Sequence, residues 1–153
     1  MTDFIVEDFD FDSVPDASEF RPFPTGAYRV KLVGKADSSE KDGVTKKFIN
    51  VQAELLEIVE TSAEENLPKA GDITGQRYYI FSGKDNGEFA RSMLKKIAAP
   101  IGAAIGATGL QAFLQAISTE TGGLQGVLVV KEKPNTYNGR TTMQNEFVNF
   151  TLD

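Results

Sequence analysis

Phe48, Arg77, Tyr79 and Phe81 are the residues of this chain with most to offer a ligand. Lys46 and Lys47 lie just ahead of Phe48, and a later group holds Lys131, Lys133, Tyr137 and Arg140. Rings interleaved with cations can stack on planar π systems while neutralising a polyanion that carries them. Arg29 and Lys31 add two cations at alternate positions of an earlier stretch, where plain solubility is the competing reading. Composition closes off other chemistries. The 153 residues include no cysteine and no histidine, which removes disulfides, thiolate sites, the commonest general base and the commonest neutral metal ligand. Catalysis would rest on carboxylates, lysines or tyrosines alone. No phosphate-cradling loop, metal-ligand spacing or nucleophile–base pair stands out, and Glu64, Glu65 and Asp85 read as solvated acids in polar stretches. The expectation is a protein that is not an enzyme and uses no metal or cofactor.

Those side chains need a surface to hold them. The longest run that reads as one strand is Lys46–Ile58, where Ile49, Val51, Ala53 and Leu55 alternate with Lys46, Phe48, Asn50, Gln52 and Glu54. A helix competes, because Val51, Leu55, Ile58 and Val59 also share a helical face, but stiff β-branched residues favour the strand. Phe48 falls on the polar side and should face water. An earlier strand, Ala27–Lys35, follows the turn at Pro24-Thr25-Gly26, with Tyr28, Val30 and Leu32 inward and Arg29, Lys31 and Lys35 opposite. Asp37–Gly43 reads as a polar loop and Thr61–Gly75 as a long connection. Gln76–Ser82 is a third strand with Ile80 inward and Arg77, Tyr79 and Phe81 outward; its rings occupy both parities, so the inverse register stays open.

A helix follows over Glu88–Ala99, capped at Asn86, carrying Phe89, Met93, Leu94 and Ile97 on one side and interrupted by Pro100. A Gly-rich connection leads to a second helix, Leu110–Ile117, presenting Leu110, Phe113, Leu114 and Ile117. Gly126–Lys133 is a fourth strand. A loop over Pro134–Arg140 contains the turn signal Asn138-Gly139, and Thr141–Phe150 is a fifth strand.

Residues 1–20 differ in kind. They contain Asp3, Glu7, Asp8, Asp10, Asp12, Asp16 and Glu19 and no Lys or Arg, with Phe4, Phe9 and Phe11 among the acids. Net charge is −6, yet residues 21–153 hold fifteen acids against sixteen bases, so the acidity belongs to this segment. It reads as a flexible acidic arm, either a solvating tail or a mimic of a polyanion with bases. Met1-Thr2-Asp3-Phe4 lacks the basic start of a signal peptide. Ile97–Thr119 is uncharged, but its Ala, Gly, Pro100, Gln111 and Gln115 make it too weakly apolar to insert in a bilayer. The expectation is a soluble cytoplasmic protein without a membrane partner.

Three strands, a helical insertion and two strands predict a mainly β domain over residues 21–153. That order matches the OB-fold, a five-stranded Greek-key barrel with a helix between strands three and four. Such barrels bind oligonucleotides or oligosaccharides on strands two and three, here carrying Phe48, Arg77, Tyr79 and Phe81. One flanking loop holds Lys41, with Lys46 and Lys47 beyond it; the other holds Lys131, Lys133, Tyr137 and Arg140.

The segments Pro24-Thr25-Gly26-Ala27-Tyr28, Phe48–Leu56, Gly126-Val127, Asn138-Gly139-Arg140 and Asn145-Glu146-Phe147 resemble those of phage-encoded OB-fold single-stranded DNA-binding proteins. The resemblance covers roughly residues 21–150. It implies a sequence-nonspecific protein that protects or organises transient single strands in DNA replication or recombination, with proteins of those processes as partners, in the host cytoplasm. Members of that family usually carry the acidic tail at the C-terminus, whereas this chain ends Phe150-Thr151-Leu152-Asp153. The competing expectation is a non-enzymatic structural or protein-interaction module, a virion component or accessory factor, without nucleic-acid binding.

Overall fold

The computed structural model describes residues 10, 12, 19–83 and 87–153. Its elements run β1 (Gly26–Lys41), β2 (Val44–Thr61), β3 (Ile73–Ser82), α1 (Glu88–Ile105), α2 (Leu110–Ala116), β4 (Leu124–Tyr137) and β5 (Arg140–Leu152). All strands join one antiparallel sheet in the order β3-β2-β1-β4-β5, with both helices between the third and fourth strands of the chain. The expected alternation in β2 holds: Ile49, Val51, Ala53 and Leu55 enter the core with Tyr28, Val30 and Leu32 of β1.

The strands are longer than expected, for a local reason. Asp37–Gly43 is not a loop; β1 continues to Lys41 and only Asp42-Gly43 turns, with φ of 54° and 77°. Asn138-Gly139 does the same between β4 and β5, at 50° and 75°. Two consecutive left-handed residues match the twist of the flanking strands, so polar residues beside them stay in the ladder.

Helix α1 likewise runs through Pro100 to Ile105. An interior proline costs about 3 kcal/mol, but Leu94, Ile97 and Ile101, spaced by three and four, are buried against the sheet and offset it. The stripe therefore excludes Phe89, which is 79% exposed rather than packed beside Met93. The helix starts after Gly87, and Asn86, the expected cap, lies outside the described residues. In α2, Phe113 is buried and Ile117 follows it into the core, while Leu110 is exposed. The two helices bend by 81° relative to each other, and among the described residues no single helix is long and apolar enough to cross a membrane.

The sheet is open. Instead of the backbone closure expected of a barrel, β3 and β5 are its two edges and share no ladder. Side chains lace the gap. Asn145 Oδ1 accepts from Thr74 Oγ1 and from Phe23 N at 2.7 Å, and Gln76 Oε1 accepts from Phe147 N at 2.8 Å. Phe147 and Phe150 both point inward despite being three apart, because a register shift leaves Val148 as an extra residue on β5.

The acidic segment was expected to be free through residue 20. Most of it lies outside the described residues, but Glu19–Arg21 is docked on the free edge of β3. Ile73 N donates to Glu19 O and Arg21 N to Ile73 O, both at 2.8 Å. Asp72, 2% exposed, accepts from Glu19 N at 2.8 Å and from Lys69 N at 3.0 Å. Burial works to raise its pKa, but the two N–H donors and the nearby Lys69 and Arg21 charges outweigh burial and lower it. A carboxylate depressed in the folded state contributes stability above its unfolded pKa of about 3.9 and loses it as pH falls through the folded value. Protection of the Arg21 and Ile73 amides against hydrogen exchange, taken relative to the intrinsic rate at each pH, should therefore fall below about pH 4, and Asp72→Asn should lower it at neutral pH. Unchanged protection in the variant would mean that the backbone pairing alone holds the segment.

Candidate nucleic-acid interface

Residues directly opposite in a ladder share a face. Asp37–Phe48–Tyr79, Lys35–Asn50–Arg77 and Val33–Gln52–Gly75 are such rows, so Phe48, Arg77 and Tyr79 gather on the sheet's outer side. Phe48 does not face water as expected. It is only 6% exposed, yet it stands outside the core cluster, because other site residues cover it. The Arg77 guanidinium lies 4.3 Å from the centre of its ring, and the Tyr79 ring meets it edge-on at 5.6 Å. Arg77 Nε donates to Asn50 Oδ1 at 2.8 Å, which helps hold the guanidinium over the ring. Lys46 Nζ sits 5.6 Å from the Tyr79 ring, which is 40% exposed. Phe48 is thus a floor, Arg77 a cation held over it, and Tyr79 an open ring at its side.

The other expected residues divide. A register shift makes Ile80 an extra residue of β3 and pairs Phe81 with Lys47, so those two meet on the opposite side of the ribbon, 5.7 Å from ammonium to ring. Phe81 therefore does not join Arg77 and Tyr79. Arg29 and Lys31 share the outer face but at its acidic end, opposite Glu57 and Glu54 respectively, and Arg29 is also ion-paired with Asp153. Lys133 Nζ is bound to Glu146 at 2.8 Å, a contact that holds the Glu146 carboxyl below its ordinary pKa. Lys131 is the ladder partner of the same Glu146. Tyr137 and Arg140 pair beside the turn at the tip of the β4–β5 hairpin, where Tyr137 is 75% exposed.

The outer face opens into the gap between β3 and β5. A cleft of about 330 Å³ there is lined by Arg77, Tyr79, Phe89, Lys133, Gln144 and Glu146 among others. It continues past Arg77 and Tyr79 to Phe20, Gly75 and Met143. Phe20, Phe89 and Gln144 were not foreseen as site residues. The helical pattern groups Phe89 with Met93 and Leu94, whereas a stripe extended past Pro100 to Ile101 excludes it.

No protein-family model, curated protein or solved structure matches this chain. Its chemistry must be read from the side chains. Among the described residues no cluster of three or more acids could hold a metal ion. The one strongly shifted phenol, Tyr78, is pushed upward by burial and donates to Gln76 Oε1 at 2.8 Å, which makes it a packing group rather than a proton donor. What the face offers is a cation held over one ring, a second ring that is open, and an ammonium beside it, at the edge of a groove.

Proposed function

We propose that this chain binds single-stranded DNA without sequence preference, and that its sheet is of OB type. The observation that carries the reading is the Lys46–Tyr79–Arg77–Phe48 stack on the outer face of β2 and β3, at the mouth of the cleft. Unpaired bases stack on an open ring or a guanidinium plane, and adjacent cations track the phosphates. The strand order, the helices after the third strand and the side-chain-laced gap between β3 and β5 suit a partly open barrel. The setting that fits is the protection of transient single strands in phage replication or recombination, in a cytoplasm, with other proteins of those processes as partners and without enzymatic activity.

Charge sets the scale. With Arg29 and Lys133 already tied to acids, the cations left at the face are chiefly Lys46, Arg77 and the nearby Lys35. Neutralising about three phosphates predicts a log–log salt slope near −2 for a single strand. Fluorescence anisotropy with labelled oligo-dT across a salt series tests this, with single-stranded RNA and duplex DNA as comparison arms. No oligo-dT binding at low salt would reject the reading. Deleting residues 1–18, which keeps the docked Glu19–Arg21, should tighten binding, most at low salt, because those acids compete with phosphates. Unchanged affinity in that truncation would leave the acidic segment as a spacer or partner tag.

A protein-interaction module remains the second reading, and one observation favours it. An apolar groove of about 410 Å³ lies between α1 and α2, lined by Leu94, Ala98, Gly102, Leu110 and Phe113 and rimmed by Arg91 and Lys95. The anisotropy series separates the two readings, since only the first gives salt-sensitive binding.

A further inference from the structure

Resting on that reading, we propose that Phe20 and Phe89 are stacking positions at the two ends of one base-binding track along the β3–β5 gap, with Tyr79 between them. The track then runs along the edge of β3 as well as across the β2–β3 face.

The argument begins with exposure and mounting. Phe20 is 67% exposed and Phe89 79%, yet neither sits on a loose segment. Phe20 is clamped between the two backbone bonds that Glu19 and Arg21 make with Ile73, and Arg21 Nη2 also donates to Asn66 O at 2.9 Å. Its ring lies over Gly75, where an added Cβ would come within 3.3 Å of Cζ, so the ring rests close on the sheet. Phe89 stands in the first turn of α1. Arg91 ties that turn to the end of β3 through Nε and Nη2 to Ile80 O, at 3.1 and 3.0 Å. Gly87 packs so closely on the Tyr79 carbonyl that any Cβ there would collide with it at 2.4 Å, which brings the start of α1 directly beside Tyr79.

Continuity is the second observation. Phe20, Arg77 and Tyr79 line one stretch of the cleft, and Tyr79 and Phe89 line the next. A single exposed ring needs no explanation. Rigidly mounted rings in sequence along one groove, with Arg77 among them, present a row of π faces at low entropic cost. Every base has a π face, so the row accepts any sequence. Between the rings the groove is polar rather than cationic, because Lys133 is satisfied by Glu146. Bases fit there while phosphates follow the Lys46–Arg77 side.

The test uses the full chain and oligo-dT of stepwise decreasing length. Phe20→Ala and Phe89→Ala should each weaken binding to long oligo-dT by roughly 5- to 150-fold, the range for losing one stacked base. Their deficit should shrink once the oligonucleotide is too short to reach the missing ring. The chain contains no tryptophan, so Phe89→Trp adds a single indole whose emission should be quenched at stoichiometric oligo-dT. If wild type binds and Tyr79→Ala is impaired, but both Ala variants bind normally and the indole is not quenched, the track is wrong and the proposed function stands. If wild type does not bind oligo-dT at all, both fall.

Discussion

Arg77→Ala should weaken oligonucleotide binding more than any other single change on the outer face, by about 2–3 kcal/mol at low salt. Two losses combine. The cation beside Tyr79 disappears, and so does the guanidinium plane that covers Phe48. Arg77→Lys separates them. An ammonium keeps the charge but cannot lie flat, so it should recover binding in part at low salt and little at high salt. Uncovering Phe48 should lower the unfolding free energy by only about 1 kcal/mol, since the ring stays on the sheet. Anisotropy titration and a denaturant curve on the same preparations measure both. If Arg77→Ala binds as wild type and only its stability drops, Arg77 is a cover for an otherwise wet ring and the site has lost its centre.

The second large effect concerns stability. Asn145 is 6% exposed and serves four groups at once. Its Oδ1 accepts from Phe23 N and Thr74 Oγ1, and its Nδ2 donates to Phe23 O at 2.9 Å and Lys131 O at 3.2 Å. Asn145→Ala leaves all four without that partner. With each buried orphan costing about 1–3 kcal/mol and the cleft admitting water to some of them, the net loss should be about 2–4 kcal/mol in a urea titration. Asn145→Asp keeps both acceptor contacts but turns a carboxylate on two carbonyl oxygens, so at neutral pH it should be no better than Ala. A loss below about 1 kcal/mol for both variants would mean that core packing, not this amide, holds β3 and β5 together.

How much of this was legible in the residues depends on the range of the interaction. Inward faces of β1 and β2 followed from strict alternation, and the chain order of strands and helices was correctly anticipated. The polar hairpin arms read as loops from their composition, whereas the tight turn at Asp42-Gly43 keeps Asp37–Lys41 in the ladder. Phe81 left the site through a single extra residue, Ile80, and a bulge has no signature in alternation alone. Charge pairing was also hidden. Lys133 is neutralised by a residue thirteen positions away and Arg29 by one 124 away, so counting cations overstated the site. Alternation puts Phe48 on the outer face but implies that it meets water, whereas its cover comes from another strand.

The side-chain lacing between β3 and β5 has a bearing on how such a molecule could be retuned. Strands joined by a backbone ladder are fixed about 4.8 Å apart whatever their side chains. Here Thr74, Gln76 and Asn145 bridge the gap by side chains instead. Calibre can therefore be tuned at three residues: lengthening or shortening one of them should resize the opening, leaving the architecture on either bank as it was.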